Sequence, residues 1–199
     1  WIHLDKSAFM IKGNAISMAS MSILFAAVEA ERKHVKILEI VRLLNDSDTT
    51  YTPSADPMEL LRFGLPKDAT ALQVNTGLLN ADFVQVDRGF ALLAAVPPGE
   101  HEMMYAYEMP YENETAVLKK SFRYGAETLR VLAPKELLQV FSDQDEDVRS
   151  LTVGNTEYQK IEMMDLQPGT RSVFYLADLP SPTLVQKLGR SIRSLRFEY

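Results

Sequence analysis

Apolar and polar side chains alternate along most of this chain, in short runs separated by Pro, Gly and Asx residues. Over residues 101–111 the pattern is clearest. Met103, Tyr105, Tyr107, Met109 and Tyr111 take every second position, with Glu102, Met104, Ala106 and Glu108 between them. A period of two puts the two sets on opposite faces of a strand. The pattern predicts an antiparallel strand with its aromatic face turned inward. Residues 16–29 and 35–44 carry apolar side chains on both period-two faces. Ile16, Met18, Leu24, Ala26 and Val28 fall opposite Met21, Ile23 and Phe25; Val35, Ile37, Val41 and Leu43 fall opposite Leu38, Ile40 and Leu44. Recurrent β-branched residues and bounding turn signals favour strand over helix for both.

Shorter strands are predicted over residues 59–63, 71–75, 83–86, 90–96, 116–124, 128–132, 137–141, 151–153, 157–163 and 172–177. The punctuation between them has a mechanism. Asp87-Arg88-Gly89 and Gly154-Asn155 mark hairpins, where Gly can take positive φ. Pro97-Pro98-Gly99 and Gln167-Pro168-Gly169 end strands by removing an amide donor and permitting reversal. Asn45 to Pro53 is rich in Asx and Thr, whose side chains bond nearby backbone in turns. Many short strands with frequent turns predict an all-β antiparallel sandwich, Ig-like, as one large or two abutting units, and not a series of βαβ units. The expected layout is a lead-in over residues 1–14, a sandwich over 15–180 with a candidate subdivision near Asn113, and a tail over 181–199. In that tail Leu184, Leu188, Ile192 and Leu195 recur at helical spacing among Lys187, Arg190, Arg193 and Arg196, so a short basic amphipathic helix is predicted.

Composition narrows the function. The 199 residues carry a formal charge of −6 and no cysteine. A net acidic chain repels phosphate backbones, so nucleic acid is not an expected partner. Disulfides and thiolate metal sites are excluded. Residues 16–30 form the longest mainly apolar stretch, too short and too serine-rich to cross a bilayer. The opening Trp1-Ile2-His3 suggests a processed piece of something longer.

No catalytic constellation emerges. His3, His34 and His101 lack metal-site spacing, and there is neither a GxSxG motif nor a glycine-rich phosphate loop. Two binding signals remain. The tyrosines Tyr105, Tyr107 and Tyr111 are either sandwich core or, if exposed in a groove, a platform for carbohydrate or peptide. Asp143, Asp145 and Asp147 form DxDxD, which opens like a calcium loop. Val148 and Gly154 then stand where an EF-hand needs its turn glycine and bidentate glutamate. The alternatives are a non-EF calcium site on a sandwich loop and a solvated acidic turn. No other cofactor is expected.

Several segments in order resemble a known family. They are the run from Val41 through Asn45-Asp46-Ser47-Asp48-Thr49-Thr50-Tyr51, then Leu60 to Pro66, Phe90 to Glu100, Tyr105 to Tyr111, Phe122-Arg123-Tyr124 and Val131 to Pro134. The order is similar to that in uncharacterised bacterial extracytoplasmic proteins described as carboxypeptidase-regulatory-like. The name refers to a transthyretin-like or Ig-like fold and implies no peptidase activity. The resemblance covers roughly residues 15–180. It implies a leading β-domain and a C-terminal membrane span in the intact protein, neither of which is in this sequence. The expected function is therefore a non-enzymatic binding or scaffolding module, the ectodomain of a membrane-anchored protein. Its expected partner is a protein in or at the cytoplasmic membrane, with attachment through the absent anchor or the tail helix. The alternatives are a carbohydrate-binding or glycan-processing sandwich and a calcium-stabilised adhesion module.

Overall fold

A computed structural model describes residues 16–55, 59–144 and 148–181. The lead-in, Asp145 and Asp147, and the predicted tail helix lie outside the described residues. Within them the chain forms thirteen strands and no helix: β1 (Ile16–Glu29), β2 (His34–Asn45), β3 (Leu61–Gly64), β4 (Thr70–Thr76), β5 (Asp82–Val86), β6 (Gly89–Leu93), β7 (Gly99–Pro110), β8 (Ala116–Phe122), β9 (Ala126–Pro134), β10 (Gln139–Ser142), β11 (Arg149–Val153), β12 (Thr156–Leu166) and β13 (Thr170–Ala177). Each predicted strand overlaps one of these.

One sheet holds seven strands in the order β11-β12-β9-β1-β2-β7-β4; two three-stranded sheets have the orders β10-β13-β8 and β3-β6-β5. An immunoglobulin constant domain divides its seven strands four and three. Here seven strands share one sheet, and β1 pairs with β9 in parallel while its other neighbour, β2, is antiparallel. The parallel pair requires the chain to return over a long crossover, which here contains β2, β4 and β7 of the same sheet as well as β3, β5, β6 and β8 of the small ones.

The inward face of the large sheet supplies much of the core. Val35, Ile37, Val41 and Leu43 from β2 are fully buried, as is Met103 from β7, with Tyr105 and Tyr107 nearly so. The small sheets pack on this face. Phe63 of β3 and Phe90 of β6 stack at 5.2 Å, and Phe90 meets Tyr105 edge-on at 5.1 Å. Such ring pairs add about 1 kcal/mol each beyond their buried area. The buried residues of all three sheets form a single cluster.

Local turns follow the sequence signals. The two-residue loop Asp87-Arg88 joins β5 to β6, with Gly89 at φ 142°. A Cβ at Gly89 would lie 1.9 Å from the Phe63 carbonyl oxygen, so β3 and β6 can approach only because that atom is missing. Asn45 is buried at the end of β2. Its amide donates to the Thr49 and Val96 carbonyls, both at 2.9 Å, while its carbonyl oxygen accepts from Ser47. The loop that opens with Asn45 is thus folded by its own side chains until Tyr51 bridges to Val96. Val96, read as the end of a strand from residue 90, instead makes this isolated bridge after β6 has ended at Leu93.

Candidate functional site: a basic groove over a buried ion pair

Glu39 sits in phase with Val35, Ile37, Val41 and Leu43 on the buried face of β2, and Lys120 in phase with Leu118 and Phe122 on that of β8. Both strands therefore point a charge into the core, and the charges meet. Lys120 Nζ lies 2.7 Å from Glu39 Oε1 and 2.6 Å from Oε2. The Tyr107 hydroxyl donates to Oε1 at 2.7 Å and the Tyr105 hydroxyl donates to Oε2. Lys120 also donates to the Gly64 carbonyl at 2.9 Å and to the Tyr105 oxygen at 3.2 Å. Desolving two ions costs several kcal/mol each, and geometry this complete is what offsets it. Burial, then the neighbouring Glu39 carboxylate, holds the Tyr105 and Tyr107 hydroxyls well above their ordinary titration range. Both stay protonated as donors.

Above this network is an open groove of about 660 Å³. Met18 and Met21 of β1, Phe63 and Gly64 of β3, and Phe122 of β8 line it together with Tyr105 and Lys120. Its charged lining is Arg62, Arg88, Lys120 and Arg123 against a single carboxylate, Asp87. Since Lys120 is neutralised from below by Glu39, the charge offered to a ligand comes from the arginines. Arg88 and Arg123 are exposed. Elsewhere on the surface Arg32, Arg42 and Arg130 lie against carboxylates. Among the described residues neither Arg88 nor Arg123 has such an ion pair.

Two edge strands, β3 and β8, border the groove. The Arg62 backbone N–H donates to the Tyr124 hydroxyl at 2.7 Å, and the Gly64 carbonyl is taken by Lys120. Side chains from β8 and the turn after it thus occupy backbone groups that β3 would offer to another strand. Burial raises the Tyr124 hydroxyl above its ordinary range, while Arg123 and Arg62 pull it down.

The residues singled out from the sequence fall elsewhere or beneath. Tyr105 and Tyr107 are each 1% exposed and Tyr111 4%. The three rings are core, so they do not form an exposed sugar platform; antiparallel strands bury the face that carries the large apolar groups. Tyr105 reaches the groove as part of its floor. Tyr111 lies away from it, its hydroxyl donating to the Pro180 carbonyl. Asp143 Oδ1 accepts from the Val173 N–H at 3.0 Å. Its companions Asp145 and Asp147 are outside the described residues, and among the described residues no group of three or more His, Asp or Glu is placed to hold a metal. The candidate site itself was not picked out from the sequence, although Glu39 and Lys120 left a signal. Each is a charge in register with flanking apolar positions on one strand, and their signs are opposite.

No protein-family model and no curated protein matches the sequence. Among solved structures, the chain is similar to an M1 zinc metallopeptidase from Deinococcus radiodurans, with 10% identity and a TM-score of 0.46 over 81% of this chain and 42% of that one. A variant of the Deinococcus radiodurans enzyme bound to a Tyr-Ser-Ala substrate gives 11% identity and a TM-score of 0.48, over the same shares. A two-domain M1 zinc metallopeptidase variant bound to L-arginine gives 10% and 0.47 over 81% of this chain and 42% of that one. The chain thus spans less than half the length of each.

Proposed function

We propose that this chain is a non-enzymatic binding module that holds a protein partner in the basic groove, within an extracytoplasmic, membrane-anchored bacterial protein. The observation that carries the reading is the contrast between floor and rim. The ionisable groups of the floor are engaged with one another: Glu39 receives Tyr105, Tyr107 and Lys120. A general acid or base needs a lone pair or proton directed at the substrate, whereas these groups direct theirs inward. The rim arginines are exposed and ready to meet a ligand, which is what recognition asks of a site. The cellular setting rests on the family resemblance. Among the described residues no helix is long and apolar enough to cross a membrane.

The test uses the full-length protein in its own cells, with a photo-crosslinking residue at Ser121, which lines the groove and is exposed. Tyr175 on β13, exposed and not among the lining residues, serves as the control position. The expected result is a discrete protein adduct from Ser121 in the membrane fraction, weakened by Arg88→Glu/Arg123→Glu and missing at Tyr175. Recovery as a free soluble monomer with no adduct from Ser121 overturns the proposal.

A further inference from the structure

The groove's chemistry says what kind of partner segment it takes. We infer that it binds an extended acidic peptide segment, whose carboxylates are gripped by Arg88 and Arg123 beside the exposed apolar side chain of Val86. The inference rests on the groove being the recognition surface proposed above.

Charge complementarity is the first argument. The whole chain carries −6, yet the groove's lining sets Arg62, Arg88 and Arg123 against one carboxylate, Asp87, with Lys120 already matched by Glu39 beneath it. Attraction of an anion there runs against the field of the rest of the molecule, which disfavours long polyanions and leaves short anionic segments favoured. Guanidinium is the second argument. Its planar fork matches a carboxylate with two parallel hydrogen bonds, and it is less strongly hydrated than an ammonium. The third is size. At about 660 Å³ the space falls in the range that encloses a ligand of many heavy atoms, far more than a free inorganic anion fills. Finally, the edge of β3 beside the groove is occupied by Tyr124 and Lys120. An incoming segment finds those ladder positions taken, so side-chain charge and apolar contact must supply its specificity.

The experiment is fluorescence anisotropy on the full chain with a labelled peptide alternating Glu and Leu. Its Gln-Leu counterpart, inorganic phosphate and anionic phospholipid vesicles are the comparison arms. Saturable binding of the Glu peptide is expected, weakened about tenfold or more by Arg88→Glu/Arg123→Glu and by raised salt, with the Gln peptide much weaker. Equal affinity for the two peptides, or equal affinity of wild type and double variant, overturns the inference. So do absence of binding, displacement by phosphate at equal charge, and preferential binding to vesicles. If the Ser121 crosslink still captures its partner while the acidic peptide fails, the assigned ligand chemistry falls and the binding reading stands. If both fail, the binding reading falls as well.

Discussion

Glu39 has no solvent exposure, and its two oxygens receive an ammonium and two phenols. Removing one member leaves the others buried with an unmet charge. Lys120→Met should therefore cost about 3–5 kcal/mol. The neutral pair Glu39→Gln/Lys120→Met should be more stable than Lys120→Met alone, because no uncompensated charge stays buried and the amide oxygen still accepts from one of the two tyrosines. Urea denaturation of the two single variants and the double variant measures this coupling; strictly additive losses would show that the pair is not coupled. The tyrosines add a pH dependence. Their folded pKa values lie well above 10.0, while the unfolded chain releases the same protons near the ordinary value. The stabilisation is thus complete below pH 10 and is lost as the pH rises above it, since the unfolded state then binds fewer protons. Tyr51, Tyr111 and Tyr124 shift in the same direction. Thermal melts from neutral to strongly alkaline pH should show a falling midpoint, with a shallower slope in Tyr107→Phe. At this scale the sequence was half legible. Glu39 and Lys120 each broke an apolar period, but nothing linear says that two breaks eighty residues apart meet.

Strand existence was readable because a pleated chain must alternate its side chains, and because Pro and Gly end pairing by known chemistry. Facing was less so. Strict alternation puts Ile16 and Met18 with Leu24, opposite Met21, Ile23 and Phe25. In β1 the register shifts between Met18 and Ser20, and Ile16, Met18, Met21, Ile23 and Phe25 are all buried. A bulge inserts one residue and reverses the phase beyond it; the sequence carries no mark of it, since Ala19 suits either face. Close approach was similarly hidden. Gly89 was read as a turn residue, and it is also the point where β3 and β6 touch. Gly89→Ala should destabilise by about 3 kcal/mol or more, because the new methyl meets backbone that cannot yield. Gly154→Ala, at positive φ but with open space around it, should cost less. Denaturation midpoints of the two variants test that ranking.

In the whole molecule, stability and recognition occupy different depths of one site. Lys120, on the floor, ties β8 to β2 and β3. Arg88 and Arg123, at the rim, are exposed and hold no ion pair among the described residues. Arg88→Glu/Arg123→Glu should accordingly leave the melting temperature nearly unchanged, within about 0.5 kcal/mol per substitution, while weakening ligand capture. A collapse of the melting temperature comparable to that of Lys120→Met would show that the rim is structural. The groove forms where β1 of the large sheet, β3 and β8 converge, with its charged rim on the hairpin loop and the turn after β8. Arg62, Arg88 and Arg123 come from separate segments; Arg88 and Arg123 are each an ordinary surface residue, and Arg62 is half-buried on β3.

The linear chain by itself determined the strands, most of their ends, the all-β class and the inward face of β7, because period and turn chemistry are local properties of the backbone. Only the tertiary structure decided that β1 lies beside β9, that opposite charges on β2 and β8 share one buried site, and that arginines far apart in sequence ring a common groove. Those outcomes depend on which strands pair and in what register, and pairing energy is settled by burial of the whole core rather than by any segment alone.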